Sequence, residues 1–447
     1  MSFLRKQLYY AAKALTRSRS PRIFEARLRE FRLGIPSDTS AIHLKALWRH
    51  CILHVPYYAA LLEKQGGDAA CERDPMAMLL RLPVMTKALL RDQSEMLKSR
   101  DLQTRRWYAN TSGGSTGEPV RLIQDEDYRA EASATTLLFS ALAGKMPGAL
   151  EVRLWGSEKD IFEGSIGWKG QLTAQLTHTV FLNAFRMTPE KMREYIGVLN
   201  DRRPRLILAY AQAIYELAQF AERENLSVTP QHAILTSAGT LYPFMKETLQ
   251  RVFGCPVYNR YGSREVGDVA CELPGREGLW VSPWNNLVEI VDDEGCPVPP
   301  GAEGNILVTS LTNYTMPLIR YQIGDRGILS PQGMNGLTGQ VLERVAGRIT
   351  DNFRTREGRI IPGEYFIHLI GVVLNRGALK KFQILQTDYE HITLKLVSAE
   401  GPLDTQEMVS KIQLVMGAEC KVMIEYVDDI PPLASGKYRY TISEVPI

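Results

Sequence analysis

The sequence predicts an α/β fold with a large multi-sheet N-terminal domain, residues 1–347, and a small α+β C-terminal domain, residues 348–447. Between residues 150 and 270, short apolar segments alternate with amphipathic ones, which is typical of a largely parallel sheet covered by helices. Residues 279–345 instead carry strand patterns separated by turn residues, which indicates a β-rich part. Beyond residue 348 two further strand patterns flank a helical one, so this change of pattern predicts a domain boundary.

The bulk composition excludes little, but it argues against one functional class. The chain has 447 residues, of which 45% are hydrophobic and 23% are charged. This is an ordinary globular balance, with room for about two or three domains. A net charge of +3 is too small to indicate a nucleic-acid-binding protein.

The six cysteines are scattered without C-x-x-C spacing. This predicts reduced thiols and a cytoplasmic protein, not a disulfide framework. A zinc site that uses some of Cys255, Cys271, Cys296 and His232 is the alternative. The lack of paired ligand spacing disfavours that site.

The first 100 residues have helical patterns. One helix is expected to break or kink at Pro56, because proline lacks the N–H group and clashes with the preceding turn. The apolar face of that helix is Leu44, Leu47, Trp48, Cys51 and Ile52. The basic segment 1–20 predicts a helix packed on the body of the protein, with contact to a membrane surface as the alternative. No apolar run reaches the roughly 18 residues of a membrane helix, so we expect no stable membrane insertion.

The alternating region begins with the apolar strand VRLWG. The following helix is expected to begin with Thr188 as its N-cap and Pro189 in its first turn. The strands RLILAYA, HAILTSAG and PVYNRYG then alternate with the helices AIYELAQFAERE and YPFMKETLQRVFG. The expected strands of the β-rich part are LVEIVDDEG, NILVTSL and PLIRYQIGD. In the C-terminal domain ITLKLVS and KVMIEYV flank the helical TQEMVSKIQLVM.

A stretch of small residues, ANTSGGSTGEPV at 109–120, gives the first indication of function. Glycines allow positive φ, so consecutive N–H groups can curve around an anion, and serine and threonine hydroxyls add donors. A plain surface loop is the alternative, because the same residues mark turns anywhere. The P-loop lysine is absent, so a phosphate bound here needs positive charge from another segment. The candidate phosphate-binding residues are Thr111, Ser112, Gly113, Gly114, Ser115, Thr116 and Gly117.

Two further segments follow predicted strands, where ligands bind in open α/β sheets. SAGT at 237–240 has small residues that allow a flat ring to lie against the backbone, with a tight turn as the alternative. In RYGSREVGD, Glu265 beside phosphates needs a bridging cation, which suggests an Mg²⁺ ligand. A surface ion pair with Arg264 is the alternative. The candidates in these segments are Ala238, Gly239, Thr240, Tyr261, Gly262, Ser263, Arg264 and Glu265.

Other polar residues stand at turns nearer the C-terminus. Asp325 follows a strand and a glycine in YQIGDRG, and its carboxylate suits the paired hydroxyls of a ribose. Arg348 and Asp351 lie at the proposed boundary, and Lys437 follows a Ser-Gly pair in PPLASGKYR. Taken alone, each of these positions is common in ordinary turns and solvated loops.

Together these segments resemble the adenylate-forming superfamily, especially its phenylacetate–CoA ligase branch and the CapK-like members found with polysaccharide genes. HVPYY at 54–58 and LLRLPVMTK at 79–87 are similar to two segments of that branch. TSGGSTGEP is similar to its phosphate loop, SAGT to its adenine segment and YGSREVG to its Y-G-x-x-E motif. IGD is similar to the ribose segment, GRITD to the hinge and SGKYR to the segment that carries a mobile lysine. The order of these motifs over most of one chain makes the resemblance specific.

The resemblance implies an ATP- and Mg²⁺-dependent ligase that converts an aryl or short-chain carboxylic acid into acyl-AMP and pyrophosphate. It then transfers the acyl group, with CoA as the expected acceptor. Glu265 is implied as the Mg²⁺ ligand, Asp325 as the ribose contact and Arg348 as a nucleotide contact. Asp351 is implied as the hinge. Lys437 is implied as the catalytic cation that the phosphate loop lacks, on a C-terminal domain that is mobile and rotates after adenylation.

The acyl pocket is expected at the strand ends of the N-terminal adenylation domain. Trp155, Tyr210 and Ala211 are its candidates and would suit an aromatic or short acyl group. A role for these side chains in the core is the alternative.

Departures from the family pattern leave the acceptor open. Gly239 follows Ala238 where many relatives have glutamate, and Arg264 stands where many have serine or threonine. EGRIIPGEYF at 357–366 departs from the pattern of CoA ligases. One alternative is therefore an amide synthetase that acylates an amine on a sugar or amino acid, in polysaccharide or secondary-metabolite biosynthesis. A non-catalytic nucleotide-binding scaffold is the other, although a scaffold needs no Lys437. The acid and the oligomeric state, a homodimer included, stay open.

Overall fold

The computed structural model describes residues 2–15, 18–111, 120–156, 174–184, 187–346, 349–361, 363–370, 379–398, 403–431 and 439–445. The helices of this part are α1 (Ser2–Leu15), α2 (Ser20–Leu33), α3 (Thr39–His54), α4 (Pro56–Lys64), α5 (Gly67–Arg73), α6 (Pro75–Leu80), α7 (Lys87–Asp92), α8 (Ser94–Leu97), α9 (Glu126–Leu142), α10 (Pro189–Arg202), α11 (Ala211–Arg223), α12 (Pro243–Phe253), α13 (Gly363–His368) and α14 (Gln406–Met416).

The strands fall into four sheets. The N-terminal strands are β1 (Trp107–Thr111), β2 (Arg121–Asp125), β3 (Glu151–Trp155), β4 (Thr179–Asn183), β5 (Leu206–Tyr210), β6 (Ile234–Ser237), β7 (Val257–Ser263), β8 (Gly267–Glu272), β9 (Leu279–Val281), β10 (Asn286–Val291), β11 (Glu303–Ser310), β12 (Tyr321–Leu329) and β13 (Val341–Ala346). The C-terminal strands are β14 (Ile349–Thr350), β15 (Phe353–Arg354), β16 (Ile360–Ile361), β17 (Leu379–Gln386), β18 (His391–Ser398), β19 (Lys421–Tyr426) and β20 (Arg439–Ser443).

One 11-stranded sheet, in the order β10-β11-β12-β13-β9-β8-β7-β6-β5-β3-β4, forms the centre of the N-terminal part. The strands from β7 to β4 pair in parallel. From β7 to β10 they pair antiparallel. The expected β-rich part is therefore continuous with the parallel sheet through the β7–β8 hairpin. A separate two-stranded hairpin, β1–β2, completes this part.

Local sequence signals place several helix ends as predicted. The Thr188 hydroxyl accepts the Lys191 N–H at 3.3 Å, and Pro189 opens α10. α3 ends at His54 and α4 begins at Pro56, whose missing N–H group costs nothing in a first turn. Both signals are local, which explains why the sequence alone was sufficient.

The strand predicted at PVYNRYG is present as β7, which continues through Ser263, and β8 begins at Gly267. Two other strand predictions need correction. β12 begins at Tyr321 and not at Pro317, because Arg320 has a φ of 51° that interrupts extended backbone. β4 escaped prediction because Leu182 is its one fully buried side chain.

The C-terminal part holds a five-stranded sheet in the order β14-β20-β17-β18-β19. β14 begins just after the proposed boundary at 348 and pairs in parallel with β20, so it already belongs to this second sheet. The division of the chain into 1–347 and 348–447 stays a prediction.

The C-terminal part packs against α10 and α11. A single cluster of buried apolar side chains includes Tyr195 and Ile214 on those helices and Phe353, Phe366 and Phe382 from the C-terminal part. Nearby, the carboxylate of Glu216 lies 3.5 Å from the guanidinium of Arg354. Burial raises the pKa of Glu216, and the Arg354 charge opposes that shift.

Candidate active site

The glycine-rich segment is carried by the β1–β2 hairpin, whose base is fixed by an ionic network. The Arg105 guanidinium lies 2.9 Å from the carboxylates of both Asp101 and Asp125. Asp125 also accepts the Tyr128 N–H at 2.7 Å and so caps α9. Burial opposes ionisation of Asp101, but hydrogen bonds from Arg105 and Ser99 outweigh it and lower its pKa to about 2. These contacts fix the end of the hairpin that lies opposite its connecting segment.

Two amide side chains tie the hairpin to the turn that contains Glu265. Gln124 donates to the carbonyl oxygens of Arg264 and Glu265 at 3.4 and 3.1 Å. Asn110 donates to the Arg264 carbonyl at 3.3 Å and to the Gln124 side-chain oxygen at 3.0 Å. Both strands that flank the candidate phosphate loop are therefore held beside the candidate metal ligand. Thr111, at the end of β1, is half-buried.

Glu265 is a buried acid, with only 4% of its surface exposed. Its carboxylate lies 3.4 Å from the Tyr321 hydroxyl, and its N–H donates to the Ser263 hydroxyl at 3.3 Å. No lysine or arginine of the described residues forms an ion pair with it. A buried carboxylate without a counter-charge is costly, so this position favours a cationic ligand.

The LLRLPVMTK segment reaches the same site. Met85 pairs with Tyr321 through an isolated parallel bridge, and its backbone bonds to Arg320 and Gln322. The adjacent Thr86 hydroxyl caps α7 by accepting the Leu89 N–H at 3.1 Å. The segment therefore supports the strand that presents Tyr321 to Glu265.

Tyr261 and Asp325, predicted from separate motifs, come together. The Tyr261 hydroxyl donates to the Asp325 carboxylate at 2.9 Å. Asp325 lies inside β12 and not after a strand, which corrects the predicted turn. Next to Tyr261, position 262 must be glycine, because a Cβ on this residue of β7 would lie 2.3 Å from the carbonyl oxygen of Gly267 on β8.

The SAGT segment forms the end of β6 and the turn to α12. Ala238 is exposed and has a φ of 54°, a left-handed conformation that is uncommon for a residue with a side chain. Gly239 and Thr240 are half-buried. Strained backbone of this kind is concentrated at binding sites, so the turn is consistent with a ligand contact.

The three candidate pocket residues also come together. The rings of Trp155 and Tyr210 lie with centroids 4.1 Å apart at an interplanar angle of 36°. The Tyr210 hydroxyl donates to the Gly156 carbonyl at 3.4 Å, and Ala211 is buried at the start of α11. The two rings form one aromatic wall at adjacent strand ends.

Asp351, the predicted hinge residue, is held within the C-terminal sheet. Its carboxylate pairs with Arg439 and accepts the Ser443 N–H at 3.0 Å. Its own N–H donates to the Thr441 hydroxyl at 2.8 Å. These contacts attach the predicted hinge to β20, the strand that follows Lys437 in the chain.

Several predicted site residues lie outside the described residues. They are Ser112, Gly113, Gly114, Ser115, Thr116, Gly117, Arg348 and Lys437. Arg264 is described and exposed, and its backbone carbonyl accepts hydrogen bonds from Asn110 and Gln124 of the hairpin.

The zinc alternative finds no support. Within the described part of the chain, the metal-compatible cluster is His50, His54 and Asp101, and it contains no cysteine. Its members already have partners, since His50 lies 2.8 Å from the Tyr314 carbonyl and Asp101 binds Arg105. All six cysteines are free thiols, five of them buried.

Sequence analysis missed Asn110, Gln124 and Tyr321 as site residues. Asn110 lies in the quoted 109–120 stretch and Tyr321 in YQIGDRG, so proximity to a motif was an available signal. Gln124 had no such signal, because its role depends on a contact 141 residues along the chain.

Gln124 provides a direct test of how the hairpin is held. Gln124→Leu is expected to lower the free energy of unfolding by about 1–3 kcal/mol, since the buried Glu265 carbonyl loses the Gln124 donor. Gln219→Leu, which removes a partly buried bond to Tyr215, is the control and is expected to stay within about 0.5 kcal/mol. Urea unfolding measures both. Equal losses would show that Gln124 does not hold the hairpin.

Comparisons with known proteins agree with this architecture. Residues 353–444 match the family model of the CapK C-terminal domain. Protein CapK from Staphylococcus aureus is 24% identical over 405 residues, which cover 87% of this chain and 85% of that protein. A phenylacetate-coenzyme A ligase from Thermus thermophilus is 28% identical over 380 residues, 82% and 79% of the two chains.

A solved structure shares the fold. A 2-hydroxyisobutyryl-CoA ligase, in complex with 2-HIB-AMP and CoA in the thioesterification state, aligns with a TM-score of 0.59 and 20% identity. The alignment covers 92% of this chain and 91% of that one. These matches confirm the predicted resemblance and fold class. No helix among the described residues is long and apolar enough to cross a membrane.

Proposed function

We propose that this chain, whose relatives are adenylate-forming ligases, activates a carboxylic acid with ATP as acyl-AMP and then transfers the acyl group to CoA. One observation carries the proposal. The glycine-rich hairpin is joined by direct hydrogen bonds, from Asn110 and Gln124, to the backbone carbonyls of Arg264 and Glu265, and so to the turn that carries the buried Glu265 carboxylate. Phosphates and an acidic side chain that lie close together repel each other, unless a cation bridges them.

The chemistry explains why these groups are needed. A carboxylate is a weak electrophile, and its charge repels the triphosphate. The backbone N–H and hydroxyl groups of 111–117 hold the β/γ end, and the ammonium of Lys437 steadies the charge that develops at the α-phosphate. The carboxylate oxygen attacks the α-phosphorus in line, the bond to the bridging oxygen breaks, and pyrophosphate leaves.

The residues present fit Mg²⁺. Glu265 offers a buried carboxylate oxygen, the ligand type that Mg²⁺ prefers, beside the segment that would hold the phosphates. Bound there, Mg²⁺ would neutralise phosphate charge and polarise the phosphoryl oxygens. The Tyr321 hydroxyl donates to this carboxylate and so helps to orient it, and β12 holds Tyr321 in the core.

The nucleoside end fits the neighbouring strand ends. Asp325 is half-buried at the mouth of the site, with one carboxylate oxygen engaged by Tyr261. A carboxylate accepts more than one hydrogen bond, which suits the paired hydroxyls of a ribose. The Ala238–Thr240 turn presents backbone and small side chains, against which an adenine ring can lie.

The aromatic wall restricts the size of the carboxylic acid that can bind. The rings of Trp155 and Tyr210 are tilted by 36° with their centroids 4.1 Å apart, and two bulky rings at these strand ends leave less room for a long acyl chain. This arrangement supports an aryl or short acyl substrate.

Two observations support CoA as the acceptor of the acyl group. The Thermus relative is named a phenylacetate-coenzyme A ligase, and the aligned 2-hydroxyisobutyryl-CoA ligase holds both acyl-AMP and CoA. The segment 357–366, which departs from the CoA-ligase pattern, favours an amine acceptor as the second candidate. The use of ATP and CoA, with free thiols, supports a cytoplasmic location.

Hydroxylamine trapping with a panel of carboxylic acids tests the proposal. Acyl-hydroxamate and pyrophosphate should form with ATP and at least one aryl or short-chain acid. CoA and then candidate amines are added next, and product masses identify the acceptor. A protein that binds ATP but yields no hydroxamate with any acid would be a scaffold.

Asp325 tests the ribose assignment. Asp325→Ala is expected to raise the Kd for ATP by on the order of 10- to 100-fold, because a charged hydrogen-bond acceptor is lost. Tyr261→Phe is the matched control. It keeps the ring and removes the hydroxyl that bonds to Asp325, so the Kd should rise by less than about threefold. Equal effects would mean that Asp325 acts by holding Tyr261 and not by binding nucleotide. Isothermal titration gives both values.

A further inference from the structure

We infer that the outer edge of the C-terminal sheet, strand β19, pairs with the same strand of a second copy of this chain about a two-fold axis. β19 is an edge strand, because in the sheet order it has β18 on one side and no strand of the described residues on the other. It is remote from the proposed chemistry. Three strand spacings, about 14 Å, separate it from β20, which follows Lys437.

The backbone of β19 has donors and acceptors for a partner strand. Lys421 donates its N–H to Glu390 at 2.7 Å and Val427 donates to Leu396 at 3.0 Å, so the odd-numbered residues face β18. Backbone groups alternate along a strand, so those of Val422 and Ile424 point away from β18. They are the groups that a further strand would engage.

Strand β19 carries two exposed large apolar side chains, one on each face of the sheet. In the described residues beyond 349, the exposed large apolar side chains are Tyr389, Leu414, Met423 and Tyr426. Met423 and Tyr426 lie on β19, and Met423 is 62% exposed. Tyr389 precedes the carbonyl that accepts the Lys421 N–H, and Leu414 lies on α14, which packs on β19. Met423 is therefore exposed apolar surface on an edge strand, which a partner strand would cover.

The charge pattern identifies the partner as a second copy. β19 reads KVMIEY, and in an antiparallel pair centred on Met423, Lys421 stands opposite Glu425 of the other copy. The reciprocal pair forms at the same time, because a two-fold interface is self-complementary. Lys421, Met423 and Glu425 are all exposed and share one face of the strand. Val422 and Ile424 then form the hydrogen-bonded pair, and both are only partly covered by the core.

The surface involved is small, so the dimer should be reversible and depend on concentration. Sedimentation equilibrium of the full chain is expected to show an increase from 50.3 kDa toward twice that mass as the protein concentration rises. A mass that stays at 50.3 kDa up to about 100 µM would overturn the inference.

Charge reversal identifies the interface. Lys421→Glu and Glu425→Lys each place like charges opposite one another in both reciprocal pairs. Each should raise the dimer dissociation constant by on the order of tenfold or more. An equimolar mixture of the two variants should dimerise again, because every facing pair is then of opposite charge. Dimers that survive either reversal, or a mixture that stays monomeric, would contradict pairing through β19.

Two controls separate a loss of the β19 interface from a general effect of charge and from a loss of the fold. Reversal of the exposed Lys191–Glu194 pair on α10 should leave the dimer unchanged. Thermal unfolding of each β19 variant should match the parent chain at low concentration, because both side chains are exposed. If Glu425→Lys disturbs the fold through the nearby Lys395, Met423→Lys replaces it, since it places two ammonium groups across the axis.

Discussion

Lys437→Ala is expected to slow acyl-adenylate formation by on the order of 10²-fold or more, because a charge partner of the transition state is lost. Transfer of the acyl group from preformed acyl-AMP should change much less, since the lysine has left the site by then. Pyrophosphate release measures the first half-reaction, and product formation from synthetic acyl-AMP measures the second. The comparison separates a catalytic cation from a residue that merely supports the domain.

A matched control lies in the same part of the chain. Lys381→Ala removes an ammonium that pairs with Asp429 at 2.5 Å. Both half-reactions should stay within about threefold of the parent rates. Equal losses in the two half-reactions of Lys437→Ala would contradict a lysine that acts only in adenylation.

Glu265→Gln is expected to reduce adenylation by on the order of 10²-fold and to shift the Mg²⁺ requirement to higher concentration. The substitution keeps the shape of the side chain and removes its charge. Because the buried carboxylate has no described cationic partner, the free energy of unfolding measured without metal should not fall and should even rise. An enzyme that loses activity without losing stability indicates a metal ligand.

Glu289→Gln should show the opposite behaviour. The Glu289 side chain is 12% exposed and lies 3.0 Å from the buried Arg320 guanidinium, so its neutralisation leaves that cation without a counter-charge. Stability should fall by about 3 kcal/mol, while the Mg²⁺ requirement stays unchanged. If Glu265→Gln also destabilises the chain and leaves the Mg²⁺ dependence unaltered, Glu265 is a structural acid and not a metal ligand.

The sequence was informative where the determining interaction is local. Thr188 and Pro189 mark the start of α10 through a cap and a fixed φ, and both act within one turn. The alternation of apolar strands and helices from 150 to 270 identified the parallel half of the sheet. The order of separate motifs identified the superfamily.

The sequence was less informative where a tertiary contact decides. Gln124 belongs to the site only because folding brings it to the Glu265 carbonyl, and no spacing rule predicts that contact. Asp325 looked like a turn residue after a glycine, yet pairing with neighbouring strands extends β12 beyond it. The same pairing places Tyr321 in the core beside Glu265, where its hydroxyl finds the carboxylate.

A crystal structure with a non-hydrolysable ATP analogue and Mg²⁺ tests the central claim most directly. We expect the backbone amides of 112–117 within hydrogen-bond distance of the β- and γ-phosphates, the Glu265 carboxylate on the metal ion, and Asp325 at the ribose. A triphosphate bound away from the β1–β2 hairpin, with Glu265 still buried and without a metal ion, would contradict the proposed site.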